Sequence, residues 1–484
     1  MPIAVDFSGR QFHFIGVGGI GMSALAYVLA KRQLPVSGSD RRLTHITRRL
    51  QENGVRIFWS QEADNIAQVT CTSSSTNDAV LPQVVCSTAI GPSNPEYKAA
   101  LDAGCPMFHR SDILAALMND TQGIAVAGTH GKTTTSSMVG YLLLKAGIDP
   151  SIVIGGEVSA WEGNAYVGSS DYMVAEADES DGSLVKLSAA IGIITNIELD
   201  HPDHYSTLDE VVGIFKHFAT QCDVVIGSAD CDTVLQRIQP AVTYSLRQDS
   251  NADYIATDIC ETAQKTTAEI WERGERLGTL SLAILGRHNL SNALAAIAVA
   301  RRLGVEFDAI ATIMATFAGA KRRFDQRGFH NNILFIDDYA HHPSEIKVTL
   351  AAAKVKSTEI LPAVSQRRVV AVFQPHRYSR ITTLLQEFAT AFGDADQVIV
   401  TDIYSAGEAN ASGITGEDVT STIGEHHTQA TYGATLDDVK SKLASMLQPG
   451  DLVIFLTAGN LNQVIPDVME YQANRAEQAT LTSV

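Results

Sequence analysis

The stretch IAVAGTHGKTTTSSMVGYLL, residues 124–143, sets a lysine between a glycine and three threonines. Gly128 and Gly131 remove side-chain bulk, so that backbone N–H groups can converge on phosphate oxygens. Lys132 can neutralise terminal-phosphate charge, and the Thr133 hydroxyl can ligate Mg²⁺. The spacing is not the usual one. A standard phosphate loop begins with a glycine where this chain has Val126, so the loop here is the shorter G-T-H-G-K-T. The plain alternative is a Ser/Thr-rich helix start with a surface lysine. An apolar run before the loop and a helix-like run after it favour phosphate.

A second glycine set lies near the N-terminus. Gly16, Gly18 and Gly21 match G-x-G-x-x-G, and Asp40 closes the next apolar run, about twenty residues on. Such a turn places a diphosphate at a helix N-terminus, where free N–H groups and the helix dipole attract anions. Those residues suit NAD, with Asp40 on a ribose hydroxyl, and a UDP-sugar equally well. They do not separate the two.

Other polar residues stand where apolar runs stop. Glu176 closes DYMVAEADESD, and His201 follows GIITNIELD. A carboxylate and an imidazole at strand ends beside a phosphate loop can hold Mg²⁺, which takes few protein ligands and keeps waters. The cluster Glu176, Asp178, Glu179 and Asp181 would elsewhere be an ordinary solvated run. His288 and Asn292 share one helix face and serve either as caps or as partners for a purine edge. Lys321, Arg322, Arg323 and Arg327 form a basic run that is either solvated linker or a source of an arginine for a transferring phosphoryl group. Asp338, His341, His342, His376 and Arg377 again stand at the ends of apolar runs.

These residues need a frame that brings strand ends together. Three blocks supply one, each opening on a short apolar run. QFHFIGVGGIGMSALAYVLAKRQLPVSGSD reads as strand, turn, helix, strand, and QVVCSTAIG (83–91) as a further strand. The second block carries near-continuous apolar runs, as in strands of a parallel sheet covered on both faces. Residues 243–280 alternate and suggest an antiparallel part. The third block has strands at NILFIDD, RRVVAVF, DQVIVTD and DLVIFLT, each expected to lead into a helix. The tail from about residue 470 reads as poorly ordered.

The expected architecture is α/β with three domains, spanning 1–118, 119–327 and 328–484. The 484 residues, 45% of them apolar, suffice for several cores. A formal charge of -18 speaks against nucleic acid, which requires clustered Lys and Arg. Six scattered cysteines without C-x-x-C pairs suggest neither zinc nor a redox dithiol. No apolar leader or long apolar window is present. The expectation is a cytoplasmic protein, without membrane insertion, acting as monomer or homodimer.

Taken in order, HFIGVGGIGMS, GTHGKTTT, EADESDGS, TNIELDH, GRHNLSNALAA, RRF, DDYAHHPSEI and QPHRYSR resemble the Mur ligase family nearly end to end. The resemblance implies a Rossmann-like N-terminal domain for a UDP-sugar, a central P-loop-type ATPase domain with a mostly parallel sheet, and a Rossmann-like C-terminal domain for an amino acid. It implies an ATP-dependent ligase that phosphorylates the lactyl carboxylate of UDP-N-acetylmuramate and passes the acyl group to L-alanine. The diphosphate would lie on Gly18, Gly19 and Ile20, bordered by Ser39, Asp40, Ser87, Thr88, Ala89 and Ile90. ATP would lie on Gly128, Thr129, His130, Gly131, Lys132, Thr133 and Thr134, with Mg²⁺ on Thr133, Glu176 and His201. His288 and Asn292 would face adenine. Arg323, Asp338, His341, His376 and Arg377 would complete the closed site, the catalytic set being Lys132, Arg323, His341, His376 and Arg377.

Three other functions compete. A ligase recycling murein tripeptide onto the same sugar would share nearly every motif. A nicotinamide-dependent dehydrogenase would leave the Lys132 loop idle, and a non-catalytic ATP-regulated binding protein would not need Glu176 and His201.

Overall fold

The computed structural model describes residues 4–72, 79–359 and 366–482. The outer limits of the expected first and last domains, 1 and 484, and the side chain of Cys71 lie outside the described residues. The chain has three sheet-containing α/β domains with mostly parallel sheets. It forms two compact units: Met1–Ile197 with Val211–Thr243 and Ala295–Val305, and Glu198–Glu210 with Tyr244–Leu294 and Glu306–Val484.

The first unit holds an all-parallel sheet ordered Arg56–Phe58, Val36–Ser39, Phe12–Ile15, Gln83–Cys86, Met107–His109. The chain winds outward in both directions from Phe12–Ile15. A crevice therefore opens between the carboxyl ends of Phe12–Ile15 and Gln83–Cys86, the place where open α/β sheets take ligands. Residues 83–91 are a strand only as far as Cys86; Ser87–Ile90 is a turn closed by an Ile90 N–H donated to Ser87 O (3.0 Å). The β-prone run is only four residues long, and Pro92 beyond it cannot extend a ladder.

A second sheet in this unit runs Gly163–Tyr166, Ser151–Val158, Tyr172–Glu176, Gln122–Ala127, Ala189–Ile194, Cys222–Ser228. Only its outer Gly163–Tyr166 pairing is antiparallel. Tyr172–Glu176 and Ala189–Ile194 flank Gln122–Ala127, so the residues after Ala127, Glu176 and Ile194 emerge side by side.

In the second unit, Tyr254–Glu261, Thr266–Glu272 and Glu275–Leu282 pair in sequence order and form the expected antiparallel part. The other sheet runs Asp325–His330, Ile333–Asp338, Leu452–Leu456, Val369–Phe373, Gln397–Val400, Ala430–Tyr432. It is parallel except for the Asp325–His330 edge. Successive residues of its strands enter two different cores. Leu334 and Ile336, with Val369, Ala371 and Phe373, join one cluster, and Ile333 and Phe335, with Val370 and Val372, join the other. Period-two side chains in a sheet covered on both faces require this continuous apolar run.

One expectation fails here. The tail is helical from Ile465 to Thr482, because Val464, Ile465 and Val468 bury against the sheet. The helix expected after Gln397–Val400 is Gly416–Gly424, which begins at the Thr415 cap after an irregular segment.

Candidate functional site

Most site residues follow a strand end. In the first sheet, Gly18 donates its N–H to Asp40 Oδ2 at 2.9 Å, and a Cβ on Gly18 would stand 2.7 Å from that oxygen. Asp40 thus fixes the glycine turn, accepting also from Arg42 N–H (2.9 Å). Ile90 packs toward Gly16, so the Ser87–Ile90 turn lies beside the glycine loop. Ile20 opens the helix Ile20–Lys31 and is partly exposed; Asn164 donates to its carbonyl and to Ser23 Oγ. Ser39 faces away from this rim. Its hydroxyl, fully buried, donates to Glu96, which also joins His13 (2.8 Å) and Asn65 (2.9 Å).

The loop after Gln122–Ala127 is tied down by the residues after Ala189–Ile194. Thr129 N–H donates to Asn196 O (3.0 Å), His130 N–H to Asn196 Oδ1 (2.8 Å), and the Thr195 hydroxyl to His130 O (2.6 Å). Gly128 has φ +140°, and a Cβ there would collide with Thr195 Oγ, so no other residue fits. The helix Lys132–Lys145 starts directly after Gly131, with Thr133 and Thr134 buried in its first turn. Its leading N–H groups form an anion-binding terminus.

Lys132 points back into the loop. Its ammonium donates to Gly128 O (2.7 Å), Thr129 O (3.1 Å) and the Glu179 carboxylate (2.8 Å). Burial works against that charge, but Glu179, Asp178 and Glu176 together raise its pKa above the ordinary lysine value. Burial pushes Glu179 up to about 7, against the pull of Lys132. Asp178 is only half-buried; partial desolvation raises its acid, yet Lys132 and Arg110 hold it at about 2. Thr133 Oγ donates to Glu176 Oε1 at 3.0 Å, while Gly155 N–H donates to Glu176 Oε2 at 2.7 Å. A hydroxyl and a carboxylate so placed are hard oxygen donors of the kind Mg²⁺ takes.

Arg110, at the start of the helix Arg110–Asn119, packs against Gly21 and pairs with Asp178 (2.8 Å) and Asp181 (3.2 Å).

The second unit has its own polar cluster. Asp200 and Arg380 form a nearly fully buried ion pair at 2.7 Å. Burial opposes the Asp200 charge, yet Arg380 and His201 hold its acid far below the usual carboxylate range. His201 has φ +55° and donates its N–H to Asp200 Oδ1 (2.7 Å). Arg380 also approaches His376 Nδ1 at 3.3 Å. The His341 and His376 rings lie 5.7 Å apart, and His376 stacks on Tyr404. Burial lowers His341 to about 4; burial together with His341 and Arg380 lowers His376 to about 2. Both are neutral imidazoles at pH 7. Arg377, at φ +69°, pairs with Asp203 (2.7 Å) and Glu408 (3.1 Å). Two non-glycine residues held at positive φ are strain of the kind found at functional sites.

Asp338 accepts from Phe324 N–H (2.6 Å) and Ala340 N–H (2.8 Å), and burial pushes its acid up to about 6, against Arg323. Arg323 lies over the Tyr339 ring. His288 and Asn292 share one face of the helix Arg287–Arg302 as the i, i+4 spacing requires, and burial lowers His288 to about 4.

The structure thus groups Gly18, Gly19, Ile20, Asp40 and Ser87–Ile90 at one rim and Gly128–Thr134 with Glu176 at another, both in the first unit. His201, His341, His376 and Arg377 gather in the second. Sequence reasoning missed Asp200, Arg380, Glu179 and Arg110 as partners. Asp200 directly precedes His201, and Arg380 lies one helical turn beyond His376; that spacing was the available signal.

Comparison with known proteins covers the same stretches. Residues 11–122 match the model of the Mur ligase family catalytic domain, 126–300 the Mur ligase middle domain, and 322–459 the Mur ligase glutamate ligase domain. The chain is 61% identical over 476 residues to the UDP-N-acetylmuramate–L-alanine ligase of Nostoc punctiforme, covering 97% of this chain and 98% of that one. Among solved structures, the UDP-N-acetylmuramate-alanine ligase of Thermotoga maritima aligns with TM-score 0.76 and 28% identity over 98% of this chain and all of that one. A murein peptide ligase of Psychrobacter arcticus aligns with TM-score 0.69 and 24% identity over 96% and 99%, a likeness of fold.

Proposed function

The chain belongs to the Mur ligase family, and we propose that it joins L-alanine to the lactyl carboxylate of UDP-N-acetylmuramate, converting ATP to ADP and phosphate. One observation carries the ATP-dependent activation. A lysine ammonium inside a glycine loop lies beside a hydroxyl–carboxylate pair, all at adjacent strand ends. The substrate pair is supported by relatives named for it at 54–61% identity. The tripeptide-recycling alternative is supported only by a likeness of fold, and a dehydrogenase leaves the Lys132 loop without a use.

A carboxylate is a poor electrophile. Its oxygen attacks the γ-phosphorus, ADP leaves, and the acyl phosphate so formed takes the alanine amine at its carbonyl carbon. The tetrahedral intermediate then expels phosphate, and the amine loses its proton. Lys132 neutralises charge on the phosphates, as do the N–H groups opening the helix at Lys132. Thr133 and Glu176 would hold Mg²⁺, which would supply further neutralisation of phosphate charge. Gly18, Gly19 and Ile20 hold the diphosphate, beside the Ser87–Ile90 turn. His341, His376, Arg377 and Arg323 serve the amino acid and the transferred group. His288 and Asn292 serve adenine. Residues 1–118, 119–327 and 328–484 serve the UDP-sugar, ATP and amino acid in turn. No described helix is long and apolar enough to cross a membrane. The proposed place of the reaction is the cytoplasm, where both water-soluble nucleotides are at hand.

Phosphate release from ATP and Mg²⁺, measured with UDP-N-acetylmuramate and either L-alanine or L-alanyl-γ-D-glutamyl-diaminopimelate, tests the assignment. Release should require both the sugar nucleotide and L-alanine. Release with the tripeptide alone would move the enzyme to recycling.

A further inference from the structure

Lys132 has three N–H donors, as any ammonium does, and all three have partners: two loop carbonyls and Glu179. The carbonyls of Gly128 and Thr129 belong to the loop that must keep its shape around a phosphate. Glu179 is the exchangeable partner, because it is the anionic one and sits on a different segment. Both of its oxygens lie 2.8 Å from the ammonium, and the residue is 1% exposed, so water does little for its charge.

We propose that Glu179 is an internal competitor of the ATP terminal phosphate for Lys132, holding the lysine until nucleotide takes it and recovering it when products leave. The surrounding charges support this division of labour. Asp178, next in the chain, is tied to Arg110 at 2.8 Å and accepts from Ser180 N–H (3.1 Å). Asp181 pairs with the same arginine at 3.2 Å and faces His109 Nε2 at 3.6 Å. Glu176 is taken by Thr133 and Gly155. Of these acidic groups, Glu179 alone has a hydrogen bond to Lys132 among those described. Burial already disfavours its charge with the lysine beside it, pushing its acid up to about 7, so the pair is poised for exchange. Glu179 is a positioning residue: it acts through Lys132.

The proposal rests on ATP binding at Gly128–Thr134, and calorimetric titration of the full chain separates the two. ATP and ADP, with AMP as control, are titrated with Mg²⁺ into wild type, Glu179→Gln and Glu179→Asp. Glu179→Gln keeps the shape and removes the competing charge. It should bind ATP roughly tenfold more tightly, the order of one charged hydrogen bond, and leave AMP unchanged. In steady state the KM for ATP should fall and kcat should fall with it, because ADP leaves more slowly. Glu179→Asp keeps the charge but draws it back from Lys132, and should also tighten ATP, which covers the case in which Glu179→Gln does not fold. Unchanged or weaker ATP binding in the folded variants would overturn the role of Glu179 alone. No ATP binding by wild type would overturn the nucleotide assignment as well.

Discussion

Arg380 donates through Nε to Asp200 Oδ1 at 2.7 Å, with both side chains at most 5% exposed. A buried pair of this kind contributes little net stability over an apolar pair, but breaking it leaves an unpaired buried charge. Asp200→Asn should therefore destabilise the second unit by about 3–5 kcal/mol. Because Asp200 also holds the His201 N–H, the loss should extend to activity. Chemical denaturation read beside turnover checks this; a variant as stable as wild type would contradict the account.

Lys132→Ala should lower kcat/KM for ATP by about two to three orders of magnitude, the cost of losing one preorganised charge on developing phosphate charge. The fold should persist, since the loop keeps its anchors to Thr195 and Asn196. Circular dichroism together with steady-state kinetics separates lost chemistry from lost structure.

Gly128→Ala sets a methyl against Thr195 Oγ at a φ that only glycine adopts freely. ATP binding should be abolished in this variant. Adding Thr195→Ala should restore only part of it, because the collision is relieved while the backbone strain remains. Full rescue in the double variant would show the backbone angle to be irrelevant.

Thr133→Ala and Glu176→Gln should each raise the Mg²⁺ concentration needed for half-maximal turnover, and excess chelator should stop wild-type turnover. Rates independent of Mg²⁺ would remove these residues from any metal role.

His341 titrates near 4 in the fold against 6.5 for an unburied imidazole. The unfolded chain therefore binds more protons in that interval, and stability rises with pH there. Sign and window follow: the contribution is fully present above about pH 6.5 and is lost as pH falls towards 4. His341→Gln should flatten the decline in thermal midpoint between those limits; an unchanged slope would mean that another group dominates.

The glycine loops and strand ends were legible in the sequence because their chemistry is local. Gly16, Gly18 and Gly21 with Asp40, and Gly128 to Thr133, announce themselves by spacing. Partnerships across the chain were not legible. That Arg110 would reach Asp178 and Asp181, or Arg380 reach Asp200, depends on which loops the sheet order brings together. Ser39 shows the complementary limit. Its position beside Asp40 suggests the ligand rim, but the pleat turns alternate residues to opposite faces and sends its hydroxyl to Glu96. The helical tail was missed because its apolar contacts are confined to its start, at Ile465 and Val468, while the rest is polar.

ATP activates the acid by phosphorylating it, a step that isotope transfer follows. UDP-N-acetylmuramate labelled with ¹⁸O in its lactyl carboxylate, turned over with ATP and L-alanine, should deliver one labelled oxygen to each phosphate released, because the carboxylate oxygen departs with the phosphoryl group. Phosphate free of label would mean that ATP is hydrolysed by water, and would contradict the account.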